Sequence, residues 1–360
     1  MNKSNIILWI SIIAISLFGL LMIYSSSYIW ADYKYSDAFK YLKNQGLFLI
    51  VGLFLMYYIS KINFENYYKY SQKIFIICFI LLILVLFLGS ERNGSKSWFG
   101  IGSFGIQPSE FMKLSMIIFT SKYLYDNYKK IKNIKKGVLP ILILTIIIFG
   151  LIMLQPDFGT GIILVMSVIA LLFISGVSIK FFIKIGILGI CGIISLIIAA
   201  PYRLKRIISF LNPWEDPLGS GFQIIQSLYA IGPGGLLGYG LGGSKQKHFY
   251  LPEPQTDFIF SIISEEFGFL GVLIVTGLFI TIIYTSFKIA INCQNLFGKY
   301  LAFGISFELA FQALLNLMVV VGLLPVTGVT LPFLSYGGSS LLITLLSMGI
   351  ILNISRHQKH

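Results

Sequence analysis

A chain of 360 residues with 56% hydrophobic and only 11% charged side chains falls far below the roughly 25% charge of an ordinary water-soluble domain. Its net charge of +13 is not a nucleic-acid signal, because the basic residues fall in loops between apolar runs. Three widely spaced cysteines (Cys78, Cys191, Cys293) and three histidines, two of them in the last four residues, exclude a disulfide framework and a His-rich zinc site.

The chain begins with a short basic start at Lys3, followed by an apolar run from Ile6 to Ile23. That run is longer than a cleavable signal core, so it predicts an uncleaved first span. Apolar stretches of about 20 residues predict ten spans, at about 6–28, 44–60, 72–88, 108–124, 138–154, 160–177, 181–200, 258–287, 300–323 and 338–354. The fold class is therefore an all-α polytopic membrane protein forming one domain over 1–360. With the amino terminus inside, sixteen Lys/Arg fall in cytoplasmic segments against five in short outer loops. The positive-inside rule then puts both termini in the cytoplasm and the long loop 201–256, between spans seven and eight, outside.

Polar side chains at membrane depth are expensive and face a partner or a cavity. Glu110 and Lys113 lie three apart on one face of span four, where they could neutralise each other or serve a site. Pro108 suits the first turn of that helix, after a loop that begins with the aromatic anchor Trp98. Asp157 reads as a cap for span six. Glu308, Gln312 and Asn316 form a polar stripe on span nine, which points inward. Asp257 opens span eight and shares a helical face with Ser261, Ser264 and Glu265. It could act as a general base or as an N-terminal acid favoured by the helix dipole. A bend at Gly268 or Gly271, or a tilt of the helix, would bring it towards the membrane.

Within the long loop, Arg203, Lys205 and Arg206 precede an apolar stretch that suits an interfacial helix facing lipid headgroups. The run Gly238-Tyr239-Gly240-Leu241-Gly242-Gly243 matches G-x-G-x-x-G, but no strand–helix unit surrounds it, which rejects a dinucleotide site. It remains a turn whose backbone could approach a phosphate, with Lys245 and Lys247 supplying charge. A second irregular outer loop, 325–340, is tolerated near the membrane only beside protein or a water-filled cavity. It is expected to line the same cavity as 201–257.

Five blocks carry a resemblance along nearly the whole chain. They are Trp98 with Gln107-Pro108-Ser109-Glu110 and Lys113; Gln155-Pro156-Asp157-Phe158-Gly159-Thr160; Gly221 to Ser227; Leu251-Pro252-Glu253 through Thr256-Asp257-Phe258; and Pro332 to Ser339. In these blocks the chain resembles the SEDS family (shape, elongation, division and sporulation), with Asn212 to Pro217 closer to its FtsW/SpoVE branch than to RodA. Phe99 stands where the family more often has Leu.

The resemblance implies a peptidoglycan glycosyltransferase in the bacterial cytoplasmic membrane that polymerises lipid II on its outer face. The implied partner is a class B penicillin-binding protein that cross-links the new strand. The family's essential Asp falls on Asp257, as base for the acceptor 4-hydroxyl. Trp98, Gln107, Ser109, Glu110, Lys113, Glu253 and Thr256 fall at the expected substrate site, beneath a roof formed by 201–256. Arg203, Lys205, Lys245, Lys247 and Lys113 are the cations expected at the leaving undecaprenyl diphosphate, a role that a divalent cation (Mg or Mn) could share. No other cofactor is implied. A flippase for the same precursor and a non-catalytic scaffold for the transpeptidase are the competing functions.

Overall fold

The computed structural model describes residues 3–92, 95–100, 105–198, 210–219 and 221–357. Arg203, Lys205 and Arg206 lie outside the described residues, so the expected interfacial helix and its cations do too. The described residues form eleven α-helices and one hairpin. The first three helices are α1 (Lys3–Tyr35), α2 (Lys40–Ile59) and α3 (Glu65–Leu88), followed by strands β1 (Ser90–Arg92) and β2 (Ser95–Trp98). Next come α4 (Pro108–Asp126), α5 (Leu139–Met153), α6 (Phe158–Ile174) and α7 (Ile179–Ile198). The last four are α8 (Phe222–Ile231), α9 (Ile259–Asn292), α10 (Leu296–Val320) and α11 (Gly338–Arg356).

Helices dominate because a chain in hydrocarbon must satisfy its backbone polar groups within each segment. Seven are long and apolar enough to cross a membrane: Ser4–Tyr35, Lys40–Ile59, Glu65–Leu88, Ile134–Met153, Ile259–Asn292, Leu296–Val320 and Gly338–Arg356. The chain is a multi-pass membrane protein. The helix α4 carries Glu110, Lys113, Lys122 and Asp126 among its 19 residues, and α6 has 17.

The centre of the bundle is α11, whose most apolar window is 78% buried, against 28% for α3. It packs on α2, and small residues permit the approach. A Cβ at Gly349 would lie 2.9 Å from the Met56 carbonyl oxygen, the close contact that small residues allow between membrane helices. Asn353 Nδ2 donates to the Ser60 carbonyl at 3.0 Å across the same pair. Around this centre, α10 packs on α4, α6 and α9, and α1 packs on α2 and α9.

Several elements depart from the apolar-run reading, among them α8 inside the long loop, and two show why. The first helix continues past residue 28 to Tyr35. Ser26 and Ser27 turn their hydroxyls onto the Ile23 carbonyl, at 3.2 and 2.6 Å, so the polar residues stay in the helix by back-bonding. The loop after α3 forms an antiparallel hairpin, with Ser90 opposite Trp98 and a further bridge between Phe99 and Ile106. Hydropathy sees neither feature, because both are made by polar residues.

The expected bend in span eight is present. Gly268 has φ +59° and ψ −155° inside α9, a region that only glycine enters freely. The kink divides α9 into an outer segment, Ile259 to Phe267, and a longer one that runs to Asn292.

Candidate active site

A cavity of about 700 Å³ opens where the loop before α9 meets the loop between α10 and α11. Its walls include Trp98, Gln107 and Glu110 from the hairpin and α4, and Asp157 from the α5–α6 turn. Glu253, Thr256 and Asp257 come from the long loop, and Thr327 to Thr330 from the loop between α10 and α11. The expectation that loop 325–340 shares a cavity with the end of 201–257 therefore holds.

Asn316 of α10 fixes both loops. Its Nδ2 donates to the Asp257 carbonyl at 2.8 Å and to the Val329 carbonyl at 2.7 Å. Ser335 Oγ donates to the Thr256 carbonyl at 2.7 Å, and the Tyr336 amide donates to the Gln255 carbonyl at 2.8 Å. Gln45 of α2 holds the same loop from the other side, with Nε2 on the Ser335 carbonyl and Oε1 accepting from the Gly337 amide, both at 3.2 Å. The backbone that carries Asp257 is thus pinned from two helices. Glu253 adds a left-handed φ of +44°, a strained conformation for a non-glycine residue that recurs at functional loops.

The Asp257 side chain is treated differently from its backbone. No described group donates a hydrogen bond to its carboxylate, and Gly328 (φ +72°) passes close enough that a Cβ there would lie 3.8 Å from Oδ2. Burial pushes its pKa up to about 6, and the nearby carboxylates of Glu253 and Asp157 act in the same direction. A carboxylate with no donor and a raised pKa is suited to take a proton near neutral pH. Asp157 lines the same cavity but is saturated. It accepts from Thr160 N at 3.1 Å, Gln107 Nε2 at 2.9 Å and Ser109 Oγ at 3.2 Å. It caps α6 as expected and holds Gln107 and Ser109 in place. Ser109 itself is fully buried behind the wall.

Behind Glu110 the polar network continues into the bundle. Lys113 Nζ lies 3.2 Å from Glu110, 3.5 Å from Glu308 and 2.8 Å from Gln312 Oε1. Gln312 Nε2 then donates to the Thr330 carbonyl at 3.0 Å. The polar stripe of α10 and the Glu110–Lys113 pair are one network, and it touches the cavity through Glu110, Gln312 and Thr330.

Three expectations need correction. Lys247 is not at the cavity: it is fully buried, with its ammonium 2.8 Å from Glu266 and 3.4 Å from Ser25 Oγ. A buried lysine needs a carboxylate partner, and Glu266 is that partner. Lys245 is exposed, and its ammonium lies 5.3 Å from the Tyr239 ring rather than on the cavity wall. The glycine run does not roof Asp257 either. It covers the kink of α9, where Tyr239 N and Gly240 N donate to the carbonyls of Glu265 and Glu266 at 3.0 and 2.9 Å. Phe269 N and Leu270 N, freed by the kink, donate to Gly235 and Leu236.

The polar face of α9 is consumed in the same way. Ser261 pairs with Ser227 of α8 at 2.7 Å, and Glu265 accepts from Ser244 Oγ and the Lys245 amide at 2.5 and 2.8 Å. Among the described residues of the long loop, only Glu253, Gln255 and Thr256 line the cavity with Asp257. The sequence reading also missed two cavity residues, Lys34 and Lys40. They sit at the end of α1 and the start of α2, and had been counted only as outer-loop charge.

Comparison with known proteins agrees with this architecture. The family model described as "Cell cycle protein" (FtsW/RodA/SpoVE) matches residues 5–360. The chain is 51% identical over 344 residues to stage V sporulation protein E of Bacillus subtilis (strain 168), covering 95% of this chain and 94% of that one. It is 40% identical to the probable peptidoglycan glycosyltransferase FtsW of Trichlorobacter lovleyi, covering 98% and 93%. Among solved structures, a chain of a peptidoglycan synthase complex that coordinates polymerization and crosslinking superposes with a TM-score of 0.81 at 32% identity, covering 98% of both chains. With a match along nearly its whole length, the chain belongs to the FtsW/RodA/SpoVE family.

Proposed function

We propose that this protein is a peptidoglycan glycosyltransferase that polymerises lipid II at the outer face of the bacterial cytoplasmic membrane. The observation that carries the reading is Asp257: a carboxylate with no hydrogen-bond donor among the described residues, raised to about 6, facing a cavity of about 700 Å³ in a membrane bundle. Family membership supplies the substrate class. The relative named FtsW is a probable peptidoglycan glycosyltransferase.

In this reading Asp257 takes the proton from the 4-hydroxyl of the acceptor GlcNAc as that oxygen attacks C1 of the donor sugar. The C1–O bond to undecaprenyl diphosphate breaks, and the anomeric centre inverts from α to β. Diphosphate departs without a strong acid, so one base suffices and no second carboxylic acid is needed. Trp98, Gln107, Glu253 and Thr256 would shape the sugar site. Among the described residues no three His, Cys, Asp or Glu side chains cluster to cage a metal. A divalent cation such as Mg²⁺ or Mn²⁺ would supply charge at the diphosphate, held mainly by the phosphates themselves, as is common for Mg²⁺.

The same reading takes α4, α6 and α7 with the seven apolar helices as ten spans, both termini cytoplasmic and the loop 201–256 outside. A class B penicillin-binding protein is the proposed partner, consistent with the synthase complex that the chain superposes on. The competing flippase needs a polar route through the bundle. Beyond Glu110 and Gln312, however, the space beside Lys113 and Glu308 is only about 20 Å³, room for about one water, which favours the polymerase.

The test is to purify the protein with its transpeptidase and supply labelled lipid II. Wild type makes glycan strands and Asp257→Ala does not. Strands from Asp257→Ala would refute the base assignment. Transfer of lipid II across liposomes without strand formation would favour the flippase. A scaffold would show neither activity while still raising cross-linking by its partner.

A further inference from the structure

The cavity needs positive charge to receive a diphosphate, and among the described residues the cations expected to provide it are not on its wall. Lys247 is held by Glu266, and Lys113 by Glu110, Glu308 and Gln312. Lys245 is not on the wall. Among the described residues, the cavity is lined by the carboxylates of Glu110, Asp157, Glu253 and Asp257, and by two lysines, Lys34 and Lys40. Neither lysine enters an ion pair among the described residues. Lys43, the third lysine of this turn, is paired with Asp37 at 2.9 Å.

The turn between α1 and α2 sets the pair. Lys34 closes the last turn of α1, Ser36 reverses the chain with φ +52°, and Lys40 is the first residue of α2. Both ammonium groups approach one ring: Lys34 Nζ lies 5.6 Å and Lys40 Nζ 3.2 Å from the Tyr35 centroid. A lysine in the first turn opposes the helix dipole, and two like charges held at one ring repel each other. The ring holds both ammonium groups by cation–π contact, and an anion bound between them would accept charge-assisted hydrogen bonds from both.

We infer that Lys34 and Lys40 form the subsite for the diphosphate of the polyprenyl-linked donor, at the rim of the cavity opposite in charge to the wall that carries Asp257. The inference rests on the polymerase reading for its ligand. It divides the cavity into an acidic wall that handles the sugar hydroxyl and a basic rim that holds the leaving group. As the C1–O bond breaks, negative charge collects on the diphosphate, where two fixed ammonium groups stabilise it.

The test uses the protein purified with its transpeptidase and compares wild type, Lys34→Gln/Lys40→Gln and Lys34→Arg/Lys40→Arg. Undecaprenyl diphosphate, which carries neither sugar nor peptide, is the probe, read by direct binding and by inhibition of strand synthesis. The neutral double variant should bind it about tenfold to a hundredfold more weakly, as loss of charge-assisted hydrogen bonds implies, and lose a comparable factor in kcat/KM for lipid II. The arginine variant should keep most of both.

Unchanged binding of undecaprenyl diphosphate to the neutral variant would overturn the inference. So would weakening confined to lipid II, which would assign the lysines to carboxylates of the peptide stem. If wild type binds undecaprenyl diphosphate and the neutral variant does not, yet no strands form under any condition, the subsite stands and the polymerase reading fails.

Discussion

The long polar loop holds two stretches that differ in sequence and do opposite things. Residues 232–247 are rich in glycine and carry two lysines, yet their polar groups face inward onto the kink of α9. Residues 253–257 have no glycine or lysine and line the cavity. The first stretch saturates the acids it meets: Glu265 and Glu266 are bonded by Ser244, Lys245 N, Ser25 and Lys247. The second is pinned through its backbone carbonyls, and no described group donates to the Asp257 carboxylate. Saturation makes a joint and an unsatisfied acid makes a base, so hydrogen-bond inventory separates the two better than charge does.

The largest effect that could break this contrast is at Lys247. Replacing it by Met leaves the Glu266 carboxylate buried without its cation, which typically destabilises by about 3–5 kcal/mol. Thermal unfolding in detergent should show a large drop in Tm and reduced yield. Lys247→Met with Glu266→Leu removes both charges and should recover most of the stability. If Lys247 belonged to the site, the double variant would be stable but inactive. A stable, active double variant fixes it as part of the joint.

This is also where the sequence was least legible. The helices, the Gly268 bend, the Asp157 cap and the α10 stripe were readable because each follows from local pattern: apolar length, glycine, an acid before a helix, a spacing of four. The Glu110–Lys113 pair was readable for the same reason. Its extension to Glu308 was not, since that contact joins residues far apart in the chain. Lys247 was misread because its partner, Glu266, lies across a kink that the glycine run folds over. Lys34 and Lys40 were overlooked because a short outer loop gives no sign of which cavity it borders. What the pattern could not convey in each case was the direction in which a long side chain points.

A smaller effect sharpens the other half of the contrast. A base must be ionised to act, and Asp257 titrates at about 6. Strand synthesis should therefore fall about tenfold between pH 7 and pH 5 and level off above pH 7. Stability runs the other way. Because the folded-state value lies above the ordinary 3.8, folding favours the protonated acid. The stabilisation that this group contributes is present at low pH and lost as pH rises through about 6. Asp257→Asn should accordingly abolish strand synthesis while raising Tm at pH 8. A pH–rate profile with no limb near 6 would remove Asp257 from the proton transfer.

The smallest effect is at Lys245, the exposed lysine of the first stretch. Its backbone amide, 2.8 Å from Glu265 Oε1, does the structural work, and its side chain reaches only the Tyr239 ring. Lys245→Gln keeps the amide and removes the charge, so stability should stay within about 0.5 kcal/mol. Strand synthesis and undecaprenyl diphosphate binding should match wild type. Set beside Lys34→Gln/Lys40→Gln, this variant separates charge at the cavity rim from charge elsewhere on the same face. A loss at Lys245 comparable to the loss at the rim would mean that general surface potential, rather than the placement of two ammonium groups, draws the diphosphate in.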